Sequence, residues 1–297
     1  MNIFITGANS FVGNILISRL KRSLKFNIYG CDLKISKDDK FIKADIRNDN
    51  FYNKIPQKID TIIHLAAISR DKDCSNNLAN CYLTNVVGTL NIIKAAKKIS
   101  AKKIIFASTE WVYPDEIARA GADEDSFIDY NLLTSDYAKS KLISERQLQN
   151  FYNSSNKTDV TILRFGIIYG NRKDNWSAVE SLFNEIKLKK KITIGSYNTA
   201  RKFIHVDDIC EGIIKSINLE GLNIINLQGK KLISLKKIIE VSKKILKKKV
   251  LVEEKNHNHY NLRNIISIKS CKKINYQPKI NLKKGLLGFN FYLNNIK

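Results

Sequence analysis

The sequence predicts an α/β protein built on a doubly wound parallel sheet, with a smaller C-terminal α/β domain. Short β-rich runs alternate with amphipathic stretches through the first half, and a glycine-containing turn follows the first run. After residue 170 the pattern becomes mixed and rich in lysine. The chain has 297 residues, 43% of them hydrophobic, which is enough to bury a large core. We expect a Rossmann-type domain at 1–168 and a substrate-binding domain at 169–297, with the chain crossing back at about 200–222.

The individual elements follow from their side-chain periodicity. The β-rich runs of the first half predict strands at 2–6, 27–31, 60–65, 102–107 and 160–165. Apolar residues at helical spacing predict helices at 11–24, 77–99 and 136–152, the last with Ser135 as its N-cap. In the second half the same reasoning predicts helices at 176–190, 207–217 and 234–248, and strands at 192–195, 223–227 and 250–254.

The charge of the chain raises the question of nucleic-acid binding. The net charge is +23 at pH 7, and a basic surface attracts polyanions. However, the lysines are spread along the chain and no aromatic residues are interleaved with them, so we expect no nucleic-acid partner. No apolar run approaches the roughly 18 residues of a membrane helix, and the first strand begins at residue 3 without a charged leader. We therefore expect no membrane partner and a cytoplasmic location.

Neither the cysteines nor the histidines predict a metal site. The five cysteines are scattered and form no CxxC pair, which favours free or buried thiols over disulfides or zinc ligands. They are Cys31, Cys74, Cys81, Cys210 and Cys271. His257 and His259 form an isolated HxH, which we interpret as part of an exposed loop.

The segment TGANSFVG, residues 6–13, predicts a phosphate-binding turn between a strand and a helix. In such turns the first glycine permits a tight bend, the second admits the pyrophosphate and the third lets the helix pack on the strand. Gly7 and Gly13 fill the outer roles, but Ser10 stands where the middle glycine is expected. Its small hydroxyl could donate to a phosphate oxygen, and the helix N-terminus still offers free N–H groups. A purely structural turn is the alternative.

Two acidic residues downstream favour a dinucleotide. Asp32 closes the second predicted strand about 20 residues past the glycines, where a carboxylate binds the ribose hydroxyls and repels a 2′-phosphate. This position favours NAD over NADP. Asp45 is placed to contact adenine, although a residue that caps its own loop explains it equally well.

A hydroxyl, a phenol and an amine form the candidate catalytic group. In SDYAKSK, Tyr137 and Lys141 are four residues apart and therefore share one helix face. A lysine ammonium beside a phenol lowers the tyrosine pKa. Thr109 ends the fourth predicted strand, at the edge of a parallel sheet where ligands bind. Together the three groups suit proton transfer with an alcohol while hydride moves to nicotinamide. A surface Tyr–Lys pair is the alternative for YxxxK alone.

Nine segments in this order resemble the extended short-chain dehydrogenase/reductase family, in its NAD-dependent epimerase/dehydratase branch acting on nucleotide sugars. They are TGANSFVG, the Asp32 strand end, HLAA (64–67), TNVVGTLN (84–91), ASTEWVY, YAKSK, LRFGIIYG (163–170), RKFIHVDD (201–208) and NYQPKINLKKGL (275–286). The resemblance covers nearly the whole chain. It is specific for the family and less so for the reaction.

The resemblance implies a role for each matching residue. Thr109, Tyr137 and Lys141 match the catalytic triad. The implied cofactor-binding residues are Gly7, Ser10, Phe11, Val12, Gly13, Asp32, Asp45, Ile46, Leu65, Ala66, Ala67, Asn85, Tyr137 and Lys141. Glu110, Arg201 and Arg263 are the implied substrate-binding residues, with both arginines on the substrate diphosphate. For Arg201 a surface arginine is the alternative, and for Glu110 an ordinary strand-end carboxylate. The motif around Arg263 is degraded. We interpret His205 and Asp208 as structural.

Several departures from the family pattern bear on the reaction. Ile167 replaces an asparagine that contacts the sugar nucleotide in many members, and Pro114 replaces a glycine. Glu110 occupies the position of the acidic aspartate of the dehydratases, but Trp111 stands where their general base would be, which argues against 4,6-dehydration.

The resemblance implies an NAD-dependent epimerase or oxidoreductase that acts on a nucleotide sugar through a transient keto intermediate. A reductase of nucleotide 4-keto sugars and a family member that binds NAD without chemistry are the alternatives. The predicted helices at about 85–98 and 137–152 resemble those that form a four-helix bundle in family dimers, so we expect a homodimer.

Overall fold

The N-terminal part of the chain alternates strands and helices. The computed structural model describes residues 1–34, 38–155 and 158–296. Its first elements are β1 (Asn2–Thr6), α1 (Phe11–Leu20), β2 (Asn27–Asp32), β3 (Phe41–Lys43), β4 (Thr61–His64), α2 (Asp71–Asn76), α3 (Leu78–Tyr82), α4 (Gly88–Lys98), β5 (Lys103–Thr109), α5 (Asp115–Ala120), α6 (Asp136–Ser155) and β6 (Asp159–Phe165). A π-helical turn, Leu83–Val87, joins α3 to α4, and 3₁₀ turns lie at Phe51–Lys54, Glu110–Val112 and Tyr130–Leu132.

The C-terminal part is mixed. Its elements are β7 (Ile168–Tyr169), α7 (Ala178–Leu188), β8 (Lys191–Ile194), β9 (Ala200–Arg201), β10 (Ile204–His205), α8 (Val206–Ser216), β11 (Leu222–Leu227), β12 (Ile233–Ser234), α9 (Leu235–Leu246), β13 (Leu251–Glu254), β14 (Leu262–Arg263), α10 (Ile268–Ile274) and α11 (Leu282–Asn295). The short strands form three small sheets, β10–β7, β12–β9–β14 and β13–β8.

Seven parallel strands form the central sheet in the order β11-β6-β5-β4-β1-β2-β3. The order reverses beside β1, which is the arrangement of a Rossmann-type doubly wound sheet and places a ligand crevice at the carboxyl ends of the central strands. The predicted fold class is confirmed. After β10 the chain returns through α8 to add β11 at the sheet edge. The division into two domains at residue 168 stays a prediction.

Alternating side chains let the sheet bury both of its faces. Ile3 and Ile5 of β1 pack on one side, with α1 and α8, whereas Phe4 packs on the other, with α4 and α6. Adjacent residues of β4, β5 and β6 divide in the same way between the two cores. This is the packing that parallel strands covered by helices on both faces require. A third core fills the C-terminal part between α7, α9 and α11.

The predicted elements of both halves are present, with end points shifted by a few residues. Ser135 caps α6 as predicted, because its Oγ accepts from the N–H of Ala138 at 3.3 Å. The single helix predicted at 77–99 is instead divided by the π-helical turn Leu83–Val87. Sequence periodicity missed the short elements β3, α2 and α5, and the C-terminal helices α10 and α11. The first three have three to six residues, too few for a periodic pattern to be recognised.

The prediction that all cysteines are free is wrong for one pair. Cys74 and Cys81 form a disulfide, although they are seven residues apart and belong to no CxxC motif. The chain turns at Asn77 between α2 and α3, and this turn brings the two Cα atoms to 4.9 Å. Cys31, Cys210 and Cys271 are free thiols. No helix within the described residues is long and apolar enough to cross a membrane.

Candidate active site

A cleft of about 1030 Å³ opens at the carboxyl edge of the central sheet. The loops after β1, β2 and β4 form one end of its wall, and the ends of β5 and β6 with the start of α6 form the other. The sequence-predicted residues that line it are Gly7, Ser10, Phe11, Val12, Asp32, Asp45, Ile46, Leu65, Ala66, Ala67, Thr109, Tyr137 and Lys141. Folding therefore brings the glycine turn and the candidate catalytic group into one cavity.

The glycine turn is closely packed at both outer positions. Gly7 has φ +69°, and a Cβ there would lie 2.8 Å from the amide nitrogen of Ala66. A Cβ on Gly13 would lie 2.3 Å from the carbonyl oxygen of Gly7, so α1 could not approach β1 this closely. Gly13 is buried and does not line the cleft itself. Its contribution to a cofactor site is therefore to hold the helix against the strand.

Ser10 caps α1 instead of disrupting the turn. Its backbone is extended, with φ −68° and ψ 167°, a conformation that any L-residue adopts, so glycine is not required here. Its Oγ accepts from the N–H of Gly13 at 3.0 Å. The N–H groups of Phe11 and Val12 have no partner within the helix, because the first helical residues lack one, and both residues line the cleft. Helix α1 therefore presents N–H donors to the cleft, where an anion such as a phosphate can bind.

Carboxylates and backbone groups border the far end of the cleft. Asp32 Oδ2 accepts from the N–H of Asn9 at 3.0 Å, and Oδ1 from that of Lys34 at 3.2 Å, which fixes the carboxylate at the rim. Asp45 caps its own turn by accepting from the N–H of Arg47 at 2.9 Å. The guanidinium of Arg47 also holds this carboxylate and lowers the pKa of Asp45. Asp45 therefore caps its own loop and also lines the cleft, and its contact with adenine stays a prediction.

Asn85 does not line the cleft. It lies behind the wall, 1% exposed, where its side chain accepts from the N–H of Ile68 at 2.9 Å and donates to the carbonyl oxygen of Ile68 at 3.0 Å. It also donates to Ser140 Oγ at 2.9 Å. The structure thus gives Asn85 a different role from direct cofactor contact: it fixes the loop after β4 against α6.

The candidate catalytic group lies where β5, α6 and the disulfide meet. Tyr137 packs against Cys74 and Cys81 and has Trp111 beside it. Thr109 ends β5, and its Oγ1 accepts from the N–H of Trp111 at 3.3 Å. Lys141 Nζ lies 4.4 Å from the centre of the Phe106 ring. All three residues are less than 10% exposed.

Burial decides the protonation of this group in the structure. It raises the pKa of Tyr137 to about 12, which an interaction with the Thr109 hydroxyl partly offsets. It lowers the pKa of Lys141 to about 7, against the attraction of Glu145. The expectation of a tyrosine with a lowered pKa is therefore wrong for this structure. The physical reason is that removal from water disfavours both the phenolate of Tyr137 and the ammonium of Lys141.

A buried ion pair supports the catalytic strand from behind. Arg164 of β6 donates to Glu145 of α6 at 2.7 and 3.0 Å, and both side chains are less than 5% exposed. Glu145 Oε1 also accepts from the Ser108 hydroxyl at 2.5 Å, and Arg164 donates to the Tyr113 hydroxyl at 2.8 Å. This network joins β5, β6 and α6, which carry the catalytic group. Spacing along the sequence did not reveal it, since its members come from separate elements.

The three residues predicted to bind substrate do not line the main cleft. Glu110 is fully buried, and burial raises its pKa to about 7. Arg263, 1% exposed, donates to the carbonyl oxygens of Glu110 and Tyr113 at 2.7 Å each and to Asp115 at 2.5 Å. Arg201, 9% exposed, donates to the carbonyl oxygens of Ala200 and Asn261 at 2.9 and 2.6 Å.

In this structure the two arginines therefore donate to backbone carbonyls behind the cleft wall. The sequence had predicted contacts with a substrate diphosphate instead. The guanidinium carbon of Arg263 lies 4.6 Å from the ring centre of Trp111, and that of Arg201 lies 5.9 Å from it. Trp111 itself lines the cleft. The physical reason is that β9 and β14 pair with each other and turn both side chains under the 3₁₀ turn after β5. His205 and Asp208 are structural as predicted, since His205 caps α8 and Asp208 accepts from the N–H groups of Lys279 and Ile280.

Sequence reasoning missed several residues of the cleft. Arg70 and Ser69 follow β4 and the HLAA motif, and their place after the end of a central strand was an available signal. Arg172 and Trp176 come from the loop after β7, and no motif pointed to them. Arg172 lies over the Phe11 ring at 4.7 Å and is paired with the buried Glu180 at 2.9 Å.

The sheet order, the glycine turn and the cleft define a dinucleotide-binding α/β enzyme. Residues 3–227 match the NAD dependent epimerase/dehydratase family, and the chain belongs to that family. The resemblance drawn from the motifs is therefore confirmed, as is NAD as the cofactor.

Known epimerases are similar to this chain over most of its length. It is 31% identical over 261 residues to the UDP-glucuronate 4-epimerase of Thermodesulfobacterium geofontis, which covers 86% of this chain and 79% of that protein. It is 28% identical over 296 residues to a putative UDP-glucose 4-epimerase of Methanocaldococcus jannaschii, with 96% and 95% covered. Among solved structures, the UDP-glucuronic acid 4-epimerase from Bacillus cereus in complex with NAD is similar, with a TM-score of 0.83, 25% identity and 99% of each chain covered.

The residues present fit this cofactor. A closely packed glycine turn, the free N–H groups at the start of α1 and the rim carboxylate of Asp32 are the features that a dinucleotide requires. When bound, NAD supplies a reversible hydride acceptor and, in its oxidised form, a positive ring charge.

Proposed function

We propose that the protein is an NAD-dependent epimerase of a nucleotide sugar that acts through a transient keto intermediate. The observation that carries the proposal is that Thr109, Tyr137 and Lys141 line the same cleft as the dinucleotide turn. The relatives named above, which are epimerases of UDP-sugars, support the substrate class.

Tyr137 performs the proton transfer in this mechanism. Its phenolate takes the proton of a sugar hydroxyl as the adjacent carbon loses hydride to NAD, which leaves a ketone on the sugar. Thr109 orients the hydroxyl, and the Lys141 ammonium stabilises the phenolate. Hydride returned to the other face of the ketone, with a proton from the Tyr137 hydroxyl, yields the epimer. The cost of burying the phenolate and the ammonium, seen in their pKa values, must be offset by the charge of the bound ligands.

Turnover of a panel of nucleotide sugars, followed by product stereochemistry, tests this function. Tyr137→Phe should abolish turnover and leave NAD binding intact, because it removes one hydroxyl. Tyr152→Phe, on the same helix but outside the cleft, is the matched control and should keep full activity. Turnover by Tyr137→Phe equal to that of the unaltered protein would contradict the proposal.

Asp32 favours epimerisation over the reductase alternative. Its carboxylate at the rim repels the 2′-phosphate of NADPH, the more usual cofactor of biosynthetic reductases. Tighter binding of NADPH than of NAD in a fluorescence titration would favour the reductase.

We also propose a homodimer and a cytoplasmic role in carbohydrate metabolism. Leu83 and Leu90 lie about two turns apart on the helical segment that includes α4, and both are at least 40% exposed. A solution mass of twice 34.0 kDa is the expected result, and a monomer would contradict it.

A further inference from the structure

The cleft continues past the catalytic tyrosine into a second compartment of about 490 Å³. Five residues line both cavities and so define the junction between them: Ser69, Arg70, Trp111, Tyr137 and Ile167. Because the reacting sugar carbon must lie beside the Tyr137 hydroxyl, the sugar ring occupies this junction if the proposed function holds. The junction residues are therefore those that can select the sugar.

The chemistry of the junction is unusual for a neutral sugar. Hydroxyl groups donate as well as accept hydrogen bonds, so they are bound well by carboxylates and side-chain amides, which accept. None of the five junction residues carries a carboxylate or an amide, and position 167 is the apolar Ile167. The single charged group is the guanidinium of Arg70, which has five N–H donors and no acceptor. A donor-only group of this kind matches a carboxylate on the substrate.

Arg70 is available for such a partner. It is exposed, and it makes one long contact, at 3.5 Å, with the carbonyl oxygen of Trp176. Within residues 1–34, 38–155 and 158–296, no carboxylate oxygen lies within 4.0 Å of its guanidinium. The neighbouring Asp71 lines the second compartment and accepts from the Ser135 hydroxyl at 2.5 Å.

The other arginines near the cleft are already engaged. Arg172 is paired with Glu180 at 2.9 Å, and Arg263 with Asp115 at 2.5 Å. Arg201 donates to two backbone carbonyls. Among the described residues, the guanidinium of Arg70 thus lies at the junction without an acidic partner. The carboxylate of a ligand would supply that partner.

We propose that the substrate's sugar carries a carboxylate, as in a hexuronate, and that Arg70 binds it and sets this specificity. The proposal rests on the nucleotide-sugar function proposed above. Lysine at position 70 would keep the charge but lose the paired N–H donors that match two carboxylate oxygens.

The test compares kcat/KM for UDP-glucuronate and UDP-glucose in the unaltered protein, Arg70→Gln and Arg70→Lys. Arg119→Gln, on the exposed surface of α5 and outside both cavities, is the charge-matched control. The unaltered protein should prefer UDP-glucuronate at least tenfold. Arg70→Gln should lower kcat/KM for UDP-glucuronate by roughly tenfold to hundredfold, mainly through KM, and should not lower kcat/KM for UDP-glucose. The kcat/KM of Arg70→Lys for UDP-glucuronate should lie between those of the unaltered protein and Arg70→Gln.

Two results would overturn the assignment while leaving the epimerase function intact. A preference of the unaltered protein for UDP-glucose is the first. Equal losses with both substrates in Arg70→Gln are the second, because they would show that Arg70 binds the diphosphate shared by the two.

If neither sugar turns over but another nucleotide sugar of the panel does, the hexuronate assignment fails and the epimerase proposal stands. If no nucleotide sugar of the panel turns over, the epimerase proposal fails and binding alone decides the specificity. Both tryptophans of the chain, Trp111 and Trp176, line the cleft, so their fluorescence reports binding directly. Tighter binding of UDP-glucuronate that Arg70→Gln removes would support the assignment, and equal binding of the two sugars would refute it.

Discussion

Replacing Lys141 with methionine removes a buried cation and measures what its burial costs the folded state. Lys141 is 3% exposed, and burial lowers the pKa of its ammonium from 10.5 to about 7. The unfolded chain keeps this proton up to the higher value, whereas the folded chain releases it near neutral pH. Between the two values the unfolded state binds more protons, so this group makes the free energy of unfolding rise with pH.

The size of the effect follows from the two pKa values. A difference of 3.5 units (10.5 minus 7) corresponds to roughly 5 kcal/mol for a fully charged lysine. At pH 7 the folded form is half protonated, so the cost is about 4 kcal/mol, and at pH 9 it falls to about 2 kcal/mol. Methionine has a similar length and no charge, so this cost is absent from Lys141→Met.

Urea unfolding of both proteins at pH 7 and pH 9 is the assay. Lys141→Met should be the more stable protein at pH 7, and its advantage should shrink by about 2 kcal/mol at pH 9. Other titrating groups cancel in this double difference. Lys139→Met, on the same helix with its ammonium 5.9 Å from the Tyr130 ring centre, is the matched control for the replacement of a lysine by methionine. If Lys141→Met is destabilised equally at both pH values, the argument from burial is refuted.

Three further results are expected. Glu145→Gln leaves the buried Arg164 guanidinium without its charge partner and should lower the free energy of unfolding by about 3 kcal/mol in urea, and an unchanged midpoint would contradict the role of this pair. Gly13→Ala places a Cβ 2.3 Å from a backbone oxygen and should weaken NAD binding at least roughly tenfold, as measured by equilibrium dialysis. Gly195→Ala is the control and should bind NAD normally, because its Cβ would meet no atom within 4 Å. Equal NAD affinities of the two variants would argue against the close packing of the turn. Thiol titration of the denatured, unreduced protein should find three thiols per chain, and five would show that the disulfide is absent.

The fold and the glycine turn could be predicted from the sequence because both depend on patterns within short segments. Strands β1, β2, β4, β5 and β6 were predicted to within a few residues, since their alternating apolar residues are buried on both faces of the sheet. The positions of Gly7, Gly13 and Asp32 around the turn could be predicted from spacing alone, because a turn followed by a helix fixes their relative positions. Ser10 could not, since its tolerance depends on a backbone angle that only the structure shows.

The placement of Arg201 and Arg263 depends on contacts between distant segments, which the sequence does not show, and their binding of substrate stays a prediction. Arg201 and Arg263 match family positions, but the pairing of β9 with β14 turns both beneath Trp111. Likewise, the four-residue spacing of Tyr137 and Lys141 correctly placed them in one cleft, but their pKa values follow from burial that the spacing does not encode.

The sequence by itself therefore determined the doubly wound sheet and predicted the glycine turn and the candidate catalytic side chains, because periodicity, short-range spacing and family motifs are all local patterns. Only the tertiary structure decided which charged groups are neutralised inside the protein and which, like Arg70, remain open to a ligand. The physical reason is that desolvation and ion pairing depend on neighbours brought together from far along the chain, and no local pattern records them.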